Sequence, residues 1–175
     1  SNPVRARFYE YPRFTYPWHF HSEYEIIYVE KGEGDCLVGD SIISYSKGDL
    51  ILFGSELPHS MQSPPDGGEE SDNEEKSEPK VRGVNIQFEK DFMHYSISQY
   101  SQFIPIRNLL EDACRGIKFT ITRSGKIIKL LEQIPSAKGA DQIILLLSLL
   151  QMMAISNHKK YLTTSHYTPS PSIMR

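Results

Sequence analysis

At 175 residues, with 39% hydrophobic side chains, the chain suits one domain with its own core, extended at most by a helical appendage. A net charge of −3 offers no cationic surface, which argues against nucleic-acid binding by this segment alone. Two cysteines, Cys36 and Cys114, are too few for a disulfide framework, and the N-terminal residues form no apolar signal. The cysteine count reads as cytoplasmic, and the longest apolar run, Ile143 to Ile155, is too short to span a bilayer, so no membrane partner is expected.

From Phe8 to Ser63 the chain reads as short strands and tight turns, as its 10 Tyr and 8 Phe favour. The run His19-Phe20-His21-Ser22-Glu23-Tyr24-Glu25 sets two imidazoles two residues apart, with a carboxylate four residues beyond the second. On an extended strand all three point to one side and converge. Tyr24 to Glu30 is β-rich and ends in Lys31-Gly32-Glu33-Gly34. Gly39-Asp40 between Asp35–Val38 and Ser41–Tyr45 is a hairpin signal. Ser46-Lys47-Gly48-Asp49 turns again, Leu50 to Phe53 reads as a buried strand, and His59 follows as a fourth candidate ligand. Three imidazoles and a carboxylate suit a divalent transition metal such as zinc, iron, manganese or nickel. The same histidines equally suit hydrogen bonds to a polar ligand.

Pro64 to Pro79 reads as an acidic surface loop. Residues 66 to 78 hold seven acids and one base, a net of −6 against −3 for the chain, so the remainder carries +3. Val81 to Phe88 returns to strand character, with Val84, Ile86 and Phe88 on one face and Asn85 and Gln87 on the other. Trp18, Tyr28, Tyr45, Asn85 and Gln87 are further ligand-pocket candidates by strand position, since aromatic faces stack on sugars and amides fix hydroxyls.

The period then changes to that of a helix. Ile106, Leu109, Leu110, Ala113, Cys114 and Ile117 form one stripe, with Pro105 near its start. Ile127, Leu130, Leu131 and Ile134 form a second, with Ser124 as N-cap and Pro135 as stop. Asp141 to Ser156 is a third helix, apolar nearly all round, which predicts burial on more than one side. His94, His158 and His166 carry no spacing signal and are expected on the surface. Thr168 to Ser172 reads as a linker. No phosphate loop, nucleophile elbow or dinucleotide fingerprint is present.

His19, His21, Glu25 and Gly32 match the spacing of the first cupin motif throughout. Gly48 and His59 fit the second, where Gly54, Leu57 and Ser63 replace the usual Pro, Gly and Asn. With Glu25-Ile26-Ile27-Tyr28-Val29, Val38-Gly39-Asp40, Gly48-Asp49-Leu50 and Leu57-Pro58-His59, the chain resembles the N-terminal sensor of AraC-type transcription regulators over roughly residues 5 to 167. Leu109 to Phe119 is similar to the helical segment following the barrel in that family's Bacteroidetes-like branch. The resemblance implies a mainly β fold, a cupin β-barrel over 5–100 followed by about three helices over 101–167, and a linker over 168–175. It implies a domain that binds a small effector, such as a sugar, and forms a homodimer through its helices. DNA would be bound only by a helix-turn-helix region, which does not occur before Arg175. The site residues expected are His19, His21, Glu25 and His59, as ligand contacts or metal ligands, with Trp18, Tyr28, Asn85 and Gln87 adjoining. No residue is expected to be catalytic. The alternative is a metal-dependent cupin enzyme, a dioxygenase or sugar isomerase, to which the substituted second motif is unfavourable.

Overall fold

The computed structural model describes residues 1–65, 80–121 and 124–168. Most of the expected acidic loop over 64–79 and of the linker over 168–175 lies outside them. Strands β1 (Val4–Tyr11), β2 (Thr15–His19), β3 (Tyr24–Lys31), β4 (Gly34–Val38), β5 (Ser41–Tyr45), β6 (Asp49–Phe53), β7 (His59–Gln62) and β8 (Val81–Phe88) come first. Helices α1 (His94–Gln99) and α2 (Ile104–Asp112) follow, then β9 (Ile117–Thr120), α3 (Gly125–Gln133), α4 (Ala140–Ala154) and β10 (Lys159–Tyr161). The strands form two antiparallel sheets, ordered β1-β8-β3-β6-β9-β10 and β2-β7-β4-β5. The fold is mainly β, a cupin-like barrel with helices packed on its six-stranded sheet.

That sheet is covered on both faces, which explains its near-continuous apolar runs. On β3, Ile27 and Val29 point between the sheets, into a core with Cys36, Met61 and Phe53. Ile26 and Tyr28 point the other way, into a second core with Ile86, Leu131 and Leu149. Glu25 shares the parity of Ile27, so a carboxylate is carried into the barrel on a strand otherwise built for burial. The Gly39-Asp40 hairpin forms as expected, with Val38 opposite Ser41 and Gly39 at φ 55°, a left-handed position that suits glycine.

Ser124 caps α3 by accepting the Ile127 N–H at 3.4 Å, and Pro105 lies in the first turn of α2. Three features differ from the sequence reading. The stripe ending at Ile117 is cut short, because Gly116 at φ 69° terminates the helical segment and Ile117 opens β9. β9 rejoins the sheet between α2 and α3 and β10 after α4, and α1 precedes α2. Finally, α4 buries Leu146, Leu149, Leu150 and Met153 on one stripe, yet Ile144 in the helix and Ile155 at its C-cap are each 57% exposed, so the helix is not enclosed.

Candidate functional site

His19 ends β2, His21 lies in the short connection to β3, Glu25 lies in β3, and His59 opens β7 directly opposite His19. The convergence expected of one strand is therefore achieved by a strand end, a turn and two neighbouring strands. Imidazole centroids lie 4.5 Å apart for His19–His59 and 5.5 Å for His19–His21 and His21–His59. One ligand atom from each of the four groups falls within 4.8 Å of the others.

The histidines share one local device. His19 Nδ1 donates to Pro17 O at 2.6 Å, His21 Nδ1 to Glu23 O at 3.0 Å, and His59 Nδ1 to Leu57 O at 2.8 Å. A carbonyl can only accept, so the proton of each neutral ring is fixed on Nδ1 and the lone pair is left on Nε2. Phe53 stacks flat on His59, with centroids 4.0 Å apart at 7°, and fixes the plane of that ring.

Glu25 is 3% exposed. Its Oε1 lies 2.6 Å from His59 Nε2 and 3.4 Å from His21 Nε2. Its Oε2 accepts from Asn85 Nδ2 at 2.8 Å and Gln87 Nε2 at 3.3 Å. Burial alone pushes this carboxyl up, but the hydrogen bonds from His21, His59 and Asn85 outweigh it and hold the group well below the usual carboxylate range. His21 is raised, chiefly by its hydrogen bond to Glu25, against the lowering effect of its own burial. A neutral His59 would set two acceptors against each other at 2.6 Å. The contact therefore calls for a positive centre, either a proton on the pair or a cation shared by it.

The residues fit a divalent transition metal. Opposite ligands of such an ion lie about twice a bond of roughly 2.1 Å apart, so a cluster within 4.8 Å needs only a small inward adjustment. The Nδ1–carbonyl bonds and the two amides on Glu25 are the outer contacts that orient such ligands.

Asn85 and Gln87 are thus brought to Glu25. Trp18 and Tyr28 are not. Trp18 alternates with His19 and is 50% exposed, while Tyr28 takes the parity opposite to Glu25 and packs in the helix-side core. Tyr45 is committed to the barrel core, its hydroxyl donating to Gln62 O at 3.2 Å. His94, His158 and His166 are exposed. Both cysteines are free thiols, with Cys36 buried in the barrel and Cys114 only partly so. Phe53 and the carbonyls of Pro17, Glu23 and Leu57 were not foreseen. Only Phe53, six residues before His59, could have been singled out from sequence.

The degraded second motif has local causes. Gly54 N–H donates to Ala113 O at 2.9 Å, and a Cβ there would lie 2.5 Å from that oxygen, so proline is excluded on both counts. Leu57 is buried in the barrel and Ser63 Oγ accepts the Phe14 N–H at 2.8 Å.

Residues 2–72 match the family model of the AraC-like ligand binding domain. That match lies at the N-terminal end and covers less than half of the chain. That family is described by binding, not by turnover. No curated protein matches the sequence. Among solved structures, apo ToxT K231A from Vibrio cholerae strain SCE256 is 16% identical, with a TM-score of 0.55 over 87% of this chain and 55% of that one. ToxT from Vibrio cholerae O395 bound to (E)-4-(8-methylnaphthalen-1-yl)but-3-enoic acid is 12% identical, with a TM-score of 0.55 over 88% of this chain and 57% of that one. Wild-type ToxT of strain SCE256 with an unsaturated fatty acid bound is 16% identical, with a TM-score of 0.52 over 86% and 51%. At these identities the likeness is one of fold, and the chain spans little more than half the length of these proteins. Among the described residues, no helix is long and apolar enough to cross a membrane.

Proposed function

We propose that this AraC-like domain is the effector-sensing part of a cytoplasmic transcription regulator. Its barrel binds a small polar molecule, such as a sugar, beside His19, His21, Glu25 and His59. One observation carries this: three imidazoles, each with Nδ1 tied to a backbone carbonyl, gather around a buried carboxylate that two amides hold in place. The arrangement is preorganised for a ligand. A zinc, iron, manganese or nickel ion would be held by the same four side chains and would supply a positive centre for a ligand oxygen. The protein's own contribution is orientation: Phe53 and Leu57 fix His59, and Asn85 and Gln87 fix Glu25.

Effector binding would favour one arrangement of barrel against helices and so bias a DNA-binding region elsewhere in a longer protein. A homodimer through the helices is part of this reading, supported by exposed apolar groups on α2, on α4 and at the C-cap of α4: Ile104 at 45%, Ile144 at 57% and Ile155 at 57%. The test is elemental analysis and thermal melting of untagged protein before and after chelation, followed by a melting-shift screen of sugars. A ligand that raises Tm in wild type and not in His59→Ala supports the proposal. Equal shifts in both remove the cluster from the binding site.

A further inference from the structure

Residues 162–167, which run on from β10, lie across the tip of the β4–β5 hairpin as a strap. Asp40 holds it there: one carboxylate oxygen accepts the Thr164 N–H at 3.1 Å and the other accepts the Thr164 hydroxyl. The fit at the tip is close. A Cβ on Gly39 would lie 2.7 Å from Thr163 Cγ2 and 3.0 Å from the Tyr167 ring, so glycine alone leaves room for the strap. The strap is also tied to the connection between α2 and β9, where the Leu162 N–H donates to Gly116 O at 2.9 Å and the Thr163 N–H to Arg115 O at 3.1 Å. Leu162 is buried in the barrel core with Val38.

This seating carries an internal cost. Thr163 Oγ1 and Arg115 Nε are buried, and among the described residues neither has a hydrogen-bond partner. Lifting the strap returns the Thr163 hydroxyl to water, so its stranded state favours opening. The contacts opposing that are few, and those of Asp40 and Thr164 are exposed. A segment held this way opens locally while the strands beneath it stay folded. The hairpin tip is at the same time a neighbour of the histidine cluster. Val38 pairs with His59 between β4 and β7, and the Gly39 N–H donates to Pro58 O at 2.9 Å. His59 Nδ1 is bonded to the carbonyl of Leu57, the residue before that proline. Leu57-Pro58-His59 thus holds the imidazole through one carbonyl and the hairpin tip through the next, and a shift of one displaces the other.

We propose that residues 162–167 are a releasable strap whose seating on Asp40 is coupled to the histidine cluster through the β4–β5 hairpin and Leu57-Pro58-His59. A ligand that fixes His59 favours the seated strap. This rests on the reading of the cluster as a ligand site, and names the element that reports its occupancy. The coupling is reciprocal: the factor by which a ligand favours seating is the factor by which seating favours the ligand.

The experiment is amide hydrogen exchange followed by NMR, in wild type and Asp40→Ala, first in chelator and then with zinc as the probe. Asp40 is exposed, so its removal leaves the fold in place. The amides read are Leu162 and Thr163, which Asp40 does not touch. In Asp40→Ala their exchange should rise about fivefold, as the loss of a hydrogen bond allows, while the amides of β8 keep their rates. The ring resonances of His59 should shift in that variant, and those of the exposed His94 should not. Zinc should slow the two strap amides in wild type and bind Asp40→Ala less tightly. Unchanged exchange of Leu162 and Thr163 in Asp40→Ala overturns the strap. Faster exchange with His59 unmoved overturns the coupling, as does zinc that shifts His59 and leaves the strap amides as they were; in both cases the ligand-site reading survives. If neither zinc nor any sugar binds, yet Asp40→Ala shifts His59, the coupled strap stands and the ligand-site reading falls.

Discussion

Replacing Glu25 separates the structural from the ligand-holding role of the cluster. In Glu25→Leu the side chain keeps roughly its size but accepts nothing. His59 and Asn85, 1% and 3% exposed, lose partners at 2.6 and 2.8 Å and have no route to water. His21 and Gln87 are half-buried and can be rehydrated. Each buried polar group stranded in this way costs about 1–3 kcal/mol. The carboxylate's own burial cost disappears with it, so a net loss of about 2–4 kcal/mol is expected for metal-free protein. Glu25→Gln behaves differently. Its oxygen can accept from Asn85 and Gln87, and its NH₂ can donate to the lone pair on His59 Nε2, which the Leu57 carbonyl keeps unprotonated in the neutral ring. The change should cost less than about 1 kcal/mol in chelator at pH 8. Zinc at a hundred times its Kd should stabilise wild type by about 2.7 kcal/mol and neither variant appreciably. Urea unfolding followed by circular dichroism, with chelator and then with zinc, measures all three. Equal destabilisation by Leu and Gln, or full zinc stabilisation of Glu25→Gln, would refute the assigned tautomers.

Stability of the metal-free protein should depend on pH in two windows. His21 is raised in the fold, so its contribution is complete below the ordinary value of 6.5 and is lost as pH climbs through the folded value. Glu25 is lowered, so its contribution is present above the ordinary 4.5 and is lost as pH falls through the folded value. Urea midpoints in chelator should therefore fall as pH climbs above 6.5, and His21→Gln should flatten that decline. Burial pushes the Cys36 thiol up to about 12, so a thiol reagent should label Cys114 in native protein and reach Cys36 only on unfolding; prompt labelling of both would contradict the packing. On α4, Leu149→Ala should cost about 2–5 kcal/mol, since Leu149 is fully buried. Ile144→Glu, at a 57% exposed position, should leave the melting curve nearly unchanged and shift sedimentation to the monomer if the helices associate.

The spacing of His19, His21, Glu25 and His59 is legible because strand parity and hairpin register are short-range properties. Parity also argues against two other candidates. Trp18 neighbours His19 and Tyr28 lies an odd number of residues from Glu25, so neither can share the site's face on a regular strand. The anchors on the imidazoles are not legible, since the carbonyls of Pro17, Glu23 and Leu57 depend on how the chain turns and not on residue type. The late strands are equally hidden. Ile117-Lys118-Phe119-Thr120 is four residues long and Lys159-Lys160-Tyr161 is three and exposed, so neither carries a periodic signal. They exist because the edge of β6 supplies a partner for β9, with Leu50 opposite Phe119, and β9 then supplies one for β10.

The return of β9 and β10 to the sheet has a practical meaning for anyone shortening this chain. A fragment ending after β8 would contain every histidine of the cluster and Glu25, yet it would leave the backbone of β6 unpaired along one side. It would also strip the helices from Ile26, Leu50, Leu52 and Ile86, four side chains now fully buried. An open apolar strand edge beside a bared apolar face is a template for self-association. Such a fragment should be recovered as aggregate, and any loss of ligand binding in it would report the missing strands, not the site.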